Sequence, residues 1–171
     1  LELVSRIRSR IPDLALTTDL IVGFPTESRE DFQQTLEMVK RIRYDAAFMF
    51  AYSPRVGTKA AAMEGQLTDA VKQSRLKELI ALQNQISAQI NSAYLNKTCE
   101  ILVEGTSPKD PGELTGRTGT NKTVIFPRPE GDAAPWRGRI VPVKITRTLT
   151  WTLHGVLEEE VNAQAGVKGN P

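Results

Sequence analysis

The chain has 171 residues, enough for one ordinary domain plus a small one, with 40% hydrophobic and 25% charged residues, a globular balance that argues against disorder. A net charge of +2 is too small to imply a nucleic-acid partner by itself, so the placement of the charges matters more than their sum. One cysteine, Cys99, excludes an intramolecular disulfide framework and points to a reducing, cytoplasmic compartment. No apolar run approaches the roughly 20 residues of a membrane span, and no signal peptide is visible.

In chain order, Leu3, Ile7 and Ile11 lie about one helical turn apart, so the sequence opens in an amphipathic helix without an initiator methionine, which predicts further residues upstream. Leu14 to Val22 is apolar and β-branched and stops at Gly23-Phe24-Pro25, the pattern of a buried strand ending in a tight turn. Ser28 offers an N-cap, Glu30 and Asp31 suit the positive end of a helix dipole, and Phe32, Leu36 and Val39 form one stripe, so a helix is predicted over 29–42. Ala46 to Tyr52 is the next apolar run, closed by Ser53-Pro54-Arg55-Val56-Gly57-Thr58. Two strands joined by such a helix should be parallel, which brings the loops 23–28 and 53–58 to one sheet edge, where open α/β sheets and barrels bind ligands.

After Gly65 the pattern changes. Thr68 is placed to cap a long connecting helix that carries Leu76, Leu79, Ile80, Ile86, Ile90 and Tyr94 on one stripe, with Gln and Asn expected on a solvated face. Beyond Asn96 come short runs, 99–103, 114–118, 123–126, 140–145 and 151–157, separated by Gly, Pro, Asn and Asp. Five strands in about 65 residues predict a small β-barrel. The predicted organisation is therefore an α/β portion over 1–65, a connecting helix over 66–91, a five-stranded, OB-like barrel over 92–158 and a flexible tail over 159–171.

In the α/β part, Gly23 allows close approach of a ligand to the backbone, and the helix start beyond it exposes free N–H groups. Arg55 supplies a planar cation suited to a carboxylate or phosphate. In the β part, Lys97, Arg117, Lys122, Arg128, Arg137, Arg139, Lys144 and Arg147 could attract phosphates, with Phe126, Trp136 and Trp151 able to stack on unpaired bases. Glu100, Glu104, Asp110, Glu113, Glu130 and Asp132 partly cancel that field. Gly116 to Thr123 is a superficial phosphate loop: Asn121 stands where the glycine before the lysine is required, and the segment reads as a hairpin. His154, the sole histidine, has no ligand neighbours in sequence, and Cys99 reads as a small buried hydrophobe.

Thr18 to Phe32 (TDLIVGFPTESREDF), followed by Phe50 to Ala61 (FAYSPRVGTKAA), resembles the late barrel strands of the radical S-adenosylmethionine methylthiotransferases. The fold this implies is the end of a partial β/α barrel. By the same resemblance Gly23, Pro25 and Glu27 match the loop after the fifth strand, Tyr52 and Ser53 the region near the adenine of adenosylmethionine, and Arg55 the adjoining loop. Thr26 stands where these proteins usually have Gly, and Ser28 where Thr is common. Leu102 to Ser107, Leu114 to Thr118 and Asn121 to Phe126 look like the TRAM domain such enzymes carry. The Gly116-Arg117-Thr118 and Asn121-Lys122 pieces are similar to the MiaB-type tRNA enzymes. The RNA contacts this implies are Lys97, Arg117, Thr118, Asn121, Lys122, Phe126 and Arg147.

The resemblance implies a transferase that converts an isopentenylated adenosine beside the anticodon to its 2-methylthio form, using adenosylmethionine and two iron–sulfur clusters. Cluster ligation takes several thiolates, and this chain has one, so the resemblance also implies that the ligands lie in N-terminal domains of a longer protein, that this part alone is inactive, and that its partner is the tRNA anticodon stem-loop. Two alternatives stay open: a methylthiotransferase acting on a ribosomal protein or another modified adenosine, and a non-catalytic RNA-binding adaptor. With the rest of a barrel absent, the strand over 14–22 is expected to present an unpaired edge and to promote self-association.

Overall fold

The computed structural model describes residues 1–129 and 136–158; Glu130, Asp132 and the expected tail over 159–171 lie outside them. The chain divides into two compact units, 1–87 and 88–171.

In the first unit, α1 (Glu2–Arg10) precedes β1 (Thr17–Val22), α2 (Arg29–Ile42) and β2 (Ala46–Ala51). The two strands are parallel, in register from Thr17 opposite Ala46 to Val22 opposite Ala51. β1 is shorter than the apolar run suggests: Leu14 to Leu16 are irregular, and Leu16 N–H donates to the Asp45 carboxylate at 3.0 Å. α2 begins where the cap predicts. Ser28 Oγ accepts from Asp31 N–H at 3.0 Å, and the Asp31 carboxylate accepts from Ser28 N–H at 2.9 Å, a reciprocal capping box. The bond from Ser28 N–H, and after it one from the Ser28 hydroxyl at 2.8 Å, hold the Asp31 carboxyl below the ordinary carboxylate range. The helix buries Phe32, Leu36, Val39 and Ile42, one side chain per turn. On the sheet, alternation places Asp19, Ile21, Phe48 and Phe50 on an exposed face, with Phe48 68% and Phe50 52% exposed.

α3 (Asp69–Ser92) corrects in part the expectation of a solvated Gln and Asn face: Gln73, Gln85 and Gln89 are exposed, but Gln83 and Asn91 are not. Lys72, Arg75, Leu79, Gln83, Ile86, Ser87 and Asn91, spaced three or four apart, are buried, so the inward stripe is largely polar. Burial is possible because these side chains donate to backbone carbonyls, although the Gln83 and Asn91 side-chain oxygens find no partner among the described residues. The Gln83 amide donates to the Tyr44 carbonyl at 2.8 Å and to Ser87 Oγ at 3.0 Å, and Ser87 Oγ donates to the Asp45 carbonyl at 2.9 Å.

The second unit is a closed barrel of β3 (Thr98–Thr106), β4 (Glu113–Thr118), β5 (Thr123–Pro127), β6 (Ile140–Thr148) and β7 (Thr152–Leu157), in the order β3-β4-β5-β7-β6 with β6 returning to β3. All pairs are antiparallel except β5 with β7. The predicted runs are these strands, shifted by a few residues at their ends. Period-two alternation sends Ile101, Val103, Leu114, Val124, Phe126, Val141, Val143, Ile145, Leu153 and Leu157 into one core. Two inward positions hold no side chain. A Cβ on Gly116 would run into the Leu102 carbonyl and Ile101, and one on Gly155 into the Lys144 carbonyl and Val143. At these seams the small barrel closes on backbone alone.

Candidate functional site

Each unit offers a site. In the first, the loops after β1 and β2 flank a cavity of about 600 Å³ whose lining includes Asp19, Phe24, Phe50, Tyr52, Ser53 and Arg55. Phe24 and Tyr52 meet edge to face, ring centroids 5.1 Å apart. The Tyr52 hydroxyl is buried and finds no hydrogen-bond partner among the described residues. A polar atom in that condition costs stability. Aromatic walls, a carboxylate and a guanidinium suit a flat, amphipathic, charged small molecule.

Gly23, Pro25 and Glu27 have a different relation to this space. Gly23 and Pro25 are buried, and Gly23 takes a φ of 76° with Lys72 packed where a Cβ would stand. The Glu27 carboxylate is held from inside the protein. One oxygen accepts from Gly23 N–H at 2.9 Å, and the other accepts from the Arg75 guanidinium, which also donates to the Glu27 carbonyl at 3.0 Å. Glu27 thus closes its own loop. Arg75 is kept in place by the Phe32 ring, 5.4 Å from its guanidinium carbon.

Lys72 and Arg75 are the residues the sequence reading missed. Lys72 Nζ pairs with Asp69 at 2.8 Å and reaches the Tyr52 carbonyl at 3.5 Å, so the first turns of α3 touch both loops. The available signal was their spacing, since 72, 75 and 79 continue the helical stripe one turn N-terminal to its first apolar residue.

In the second unit, parallel β5 and β7 start level, with Thr123 opposite Thr152, so the turns 118–122 and 149–151 lie at one end of the barrel. The end of α3 and the residues after it brace both. The Asn91 amide donates to the Leu149 and Thr150 carbonyls at 2.8 and 3.0 Å. Tyr94 Oη is 3.1 Å from Thr120 Oγ1, and the Lys122 ammonium lies 5.7 Å from the Tyr94 ring centre.

The expected RNA contacts divide into three groups. Lys97 and Arg147 are exposed, Lys97 beside β6 through the bond from Ile145 N–H to its carbonyl at 2.9 Å, and Arg147 in register with His154. Arg117 and Lys122 stay at the rim but are engaged. Arg117 pairs with Glu104 at 3.2 Å and donates to the exposed Asn121 at 3.3 and 3.4 Å. Thr118 and Phe126 require correction. Phe126 is 1% exposed, because strand alternation turns its ring into the core, and it cannot stack on a base. Thr118 is buried, and its hydroxyl is spent on the turn, accepting from Lys122 N–H at 3.0 Å and lying 3.0 Å from Thr120 Oγ1. Of the other aromatics, Trp136 packs partly on the core with Arg139 over its ring at 5.1 Å, whereas Trp151 is 54% exposed. The segment 116–123 is a β-hairpin with Asn121 at φ 62°, not a phosphate loop.

Residues 92–157 match the TRAM domain family. The β unit is a TRAM domain. The chain as a whole is similar to enzymes named tRNA-2-methylthio-N(6)-dimethylallyladenosine synthase: 54% identical over 155 residues to that of Moorella thermoacetica, 50% over 161 residues to that of Thermoanaerobacter sp. (strain X514), and 48% over 160 residues to that of Alkaliphilus oremlandii. These alignments cover 91%, 94% and 94% of this chain and 34%, 33% and 33% of the relatives. The chain spans about a third of the length of the curated relatives it matches, at their C-terminal end. The similarity covers the TRAM domain and the loop cavity alike. Among the described residues no group of His, Cys, Asp and Glu is arranged to hold a metal ion, and no helix is long and apolar enough to cross a membrane.

His154 lies on the outer wall of the TRAM domain, where burial and then Arg147 press its pKa down while Glu113 pulls it up. Cys99 packs against the barrel core, and burial pushes its thiol up against the pull of Lys97.

Proposed function

We propose that this chain is the C-terminal part of a cytoplasmic radical S-adenosylmethionine tRNA methylthiotransferase, one that adds a methylthio group to dimethylallylated adenosine next to the anticodon. The observation that carries this is identity of about 50% to the synthases over more than nine-tenths of the chain, through both units.

In this reading the loop cavity takes part of adenosylmethionine. Tyr52, Ser53 and Arg55 line it, with the Arg55 guanidinium suited to the ligand's carboxylate. Gly23, Pro25 and Glu27 act through shape: Glu27, clamped by Arg75 and Gly23, fixes the loop against which the ligand rests. The radical chemistry would be supplied by the bound cofactors, adenosylmethionine and two iron–sulfur clusters. Cluster ligands belong to other domains of the longer protein, since Cys99 is the one cysteine here, so this chain alone does not methylthiolate.

The TRAM domain supplies the grip on the tRNA anticodon stem-loop. Lys97, Arg117, Lys122 and Arg147 would neutralise phosphates, which makes binding salt-dependent, with Asn121 beside Arg117 at the hairpin tip. The test is a salt titration of tRNA binding by the chain and by its Arg117→Ala/Lys122→Ala variant. Expected is binding whose logarithm falls linearly with the logarithm of salt, with a slope smaller in magnitude by about 1.5–2 in the variant. Absence of tRNA binding at low salt would sink the assignment of RNA recognition to this domain and favour a protein substrate.

A further inference from the structure

The geometry points to the barrel rim between the turns 118–122 and 149–151 as a seat for unpaired RNA bases, with Trp151 as its stacking face and Arg117 and Arg147 as phosphate partners on either side. This deepens the RNA-binding reading of the TRAM domain and rests on it.

Three observations carry it. The first is the distribution of charge. Arg117, Lys122 and Arg147 lie at or near the end of the barrel where β5 and β7 begin, whereas Glu113, at the start of β4, lies toward the opposite end; the acids on the adjoining β3 wall are Glu104, paired with Arg117, and the exposed Glu100. Along the wall formed by β5 and β7, Arg117 and Arg147 are three strand spacings apart, an arc of roughly 15 Å. A flexible single strand can cross that span with a phosphate at each side and bases between.

The second is Trp151 itself. It is 54% exposed beside Leu149 at 45%, in a domain that buries Phe126 and packs Trp136 against its core. The turn that carries it is fixed: Leu149 N–H donates to the Thr152 carbonyl at 2.8 Å, and Asn91, itself buried, occupies the carbonyls of Leu149 and Thr150. A large aromatic held half in water on a braced turn offers a stacking surface with little ordering left to do on binding.

The third is the floor beside it. Alternation turns Thr152 and His154 of β7 outward with Thr123 and Ile125 of β5, and Thr152 Oγ1 lies 3.4 Å from His154 Nε2. A hydroxyl, an imidazole and an aliphatic patch can meet a base edge and a base face. Paired bases in an A-form helix keep their faces stacked and their Watson–Crick edges occupied, so the rim should prefer unpaired RNA.

The experiment uses the whole chain with two fluorescein-labelled RNAs, a hairpin with an unpaired loop and a duplex of equal charge, each titrated over a salt series. Trp151→Ala is expected to weaken hairpin binding about tenfold with the salt slope unchanged. Duplex binding should not move, and Trp151→Phe should restore most of the loss. Arg147→Ala is expected to reduce the slope for both RNAs by about one. Equal affinity of Trp151→Ala and the parent for the hairpin, or equal loss on hairpin and duplex, would overturn the stacking seat while leaving salt-dependent RNA binding intact. An unchanged slope in Arg147→Ala would overturn its phosphate role. A parent chain that binds neither RNA would overturn the RNA reading and the seat together.

Discussion

Thr26 shows how one residue can work against its own loop. It sits at φ 69°, a left-handed conformation that a β-branched side chain resists. Its N–H donates to the Gly65 carbonyl at 2.9 Å, so the loop is pinned there. Thr26→Gly is therefore expected to stabilise the first unit by about 1 kcal/mol, read as slower hydrogen exchange of the β1 and α2 amides. Faster exchange would mean that the Thr26 methyl contact on Gly65 outweighs the backbone strain. The sequence marked this position as unusual by comparison with the resembled family, yet only the dihedral angle says why. Phe126 marks the opposite case. An aromatic between Lys122 and Arg128 invites a stacking role, and one step of strand register decides that it faces the core instead.

Among the elements, α3 was the least legible. Its length, cap and stripe could be read from Thr68 to Tyr94, but residue type misled about burial, because Gln83, Ser87 and Asn91 go inward to serve carbonyls that the sequence gives no sign of. Lys72 and Arg75 were hidden for the same reason: a cation on a helix is usually solvated, and these are held by loop residues 20 and 48 positions earlier, Tyr52 and Glu27. By contrast, the strands of the barrel were legible to within a few residues, since alternation and turn residues are local signals.

The Arg75 and Glu27 pair can be tested as a unit. Arg75→Ala leaves a nearly buried carboxylate with one backbone donor and is expected to cost about 3 kcal/mol. Arg75→Met combined with Glu27→Gln removes both charges, keeps a partner for Gly23 N–H, and should recover most of that loss. Urea unfolding followed by far-ultraviolet circular dichroism measures both. A double variant as unstable as Arg75→Ala would show that the positive charge has a further role.

At the scale of the whole molecule, the two-stranded sheet of the first unit stands out. β1 pairs with β2 and with no other strand among the described residues, and the face carrying Ile21, Phe48 and Phe50 is exposed. Unpaired edges together with an apolar face favour association. The chain is expected to self-associate with rising concentration, and Phe48→Glu with Phe50→Glu should shift light-scattering mass toward the monomer. A concentration-independent monomer before substitution would show that this face is covered in solution.

The two inward glycines of the TRAM domain constrain its history as much as its shape. At most core positions a lineage can exchange one side chain for another and let a neighbour compensate. At Gly116 and Gly155 a new methyl group would meet the Leu102 and Lys144 carbonyls, atoms that every residue type carries. No exchange of residue at 102 or 144 makes room, so drift elsewhere in the barrel has to proceed around these two fixed points. A descendant that lost either would have to part the seam between β3 and β4 or between β6 and β7, and with it the closure that brings the rim residues together.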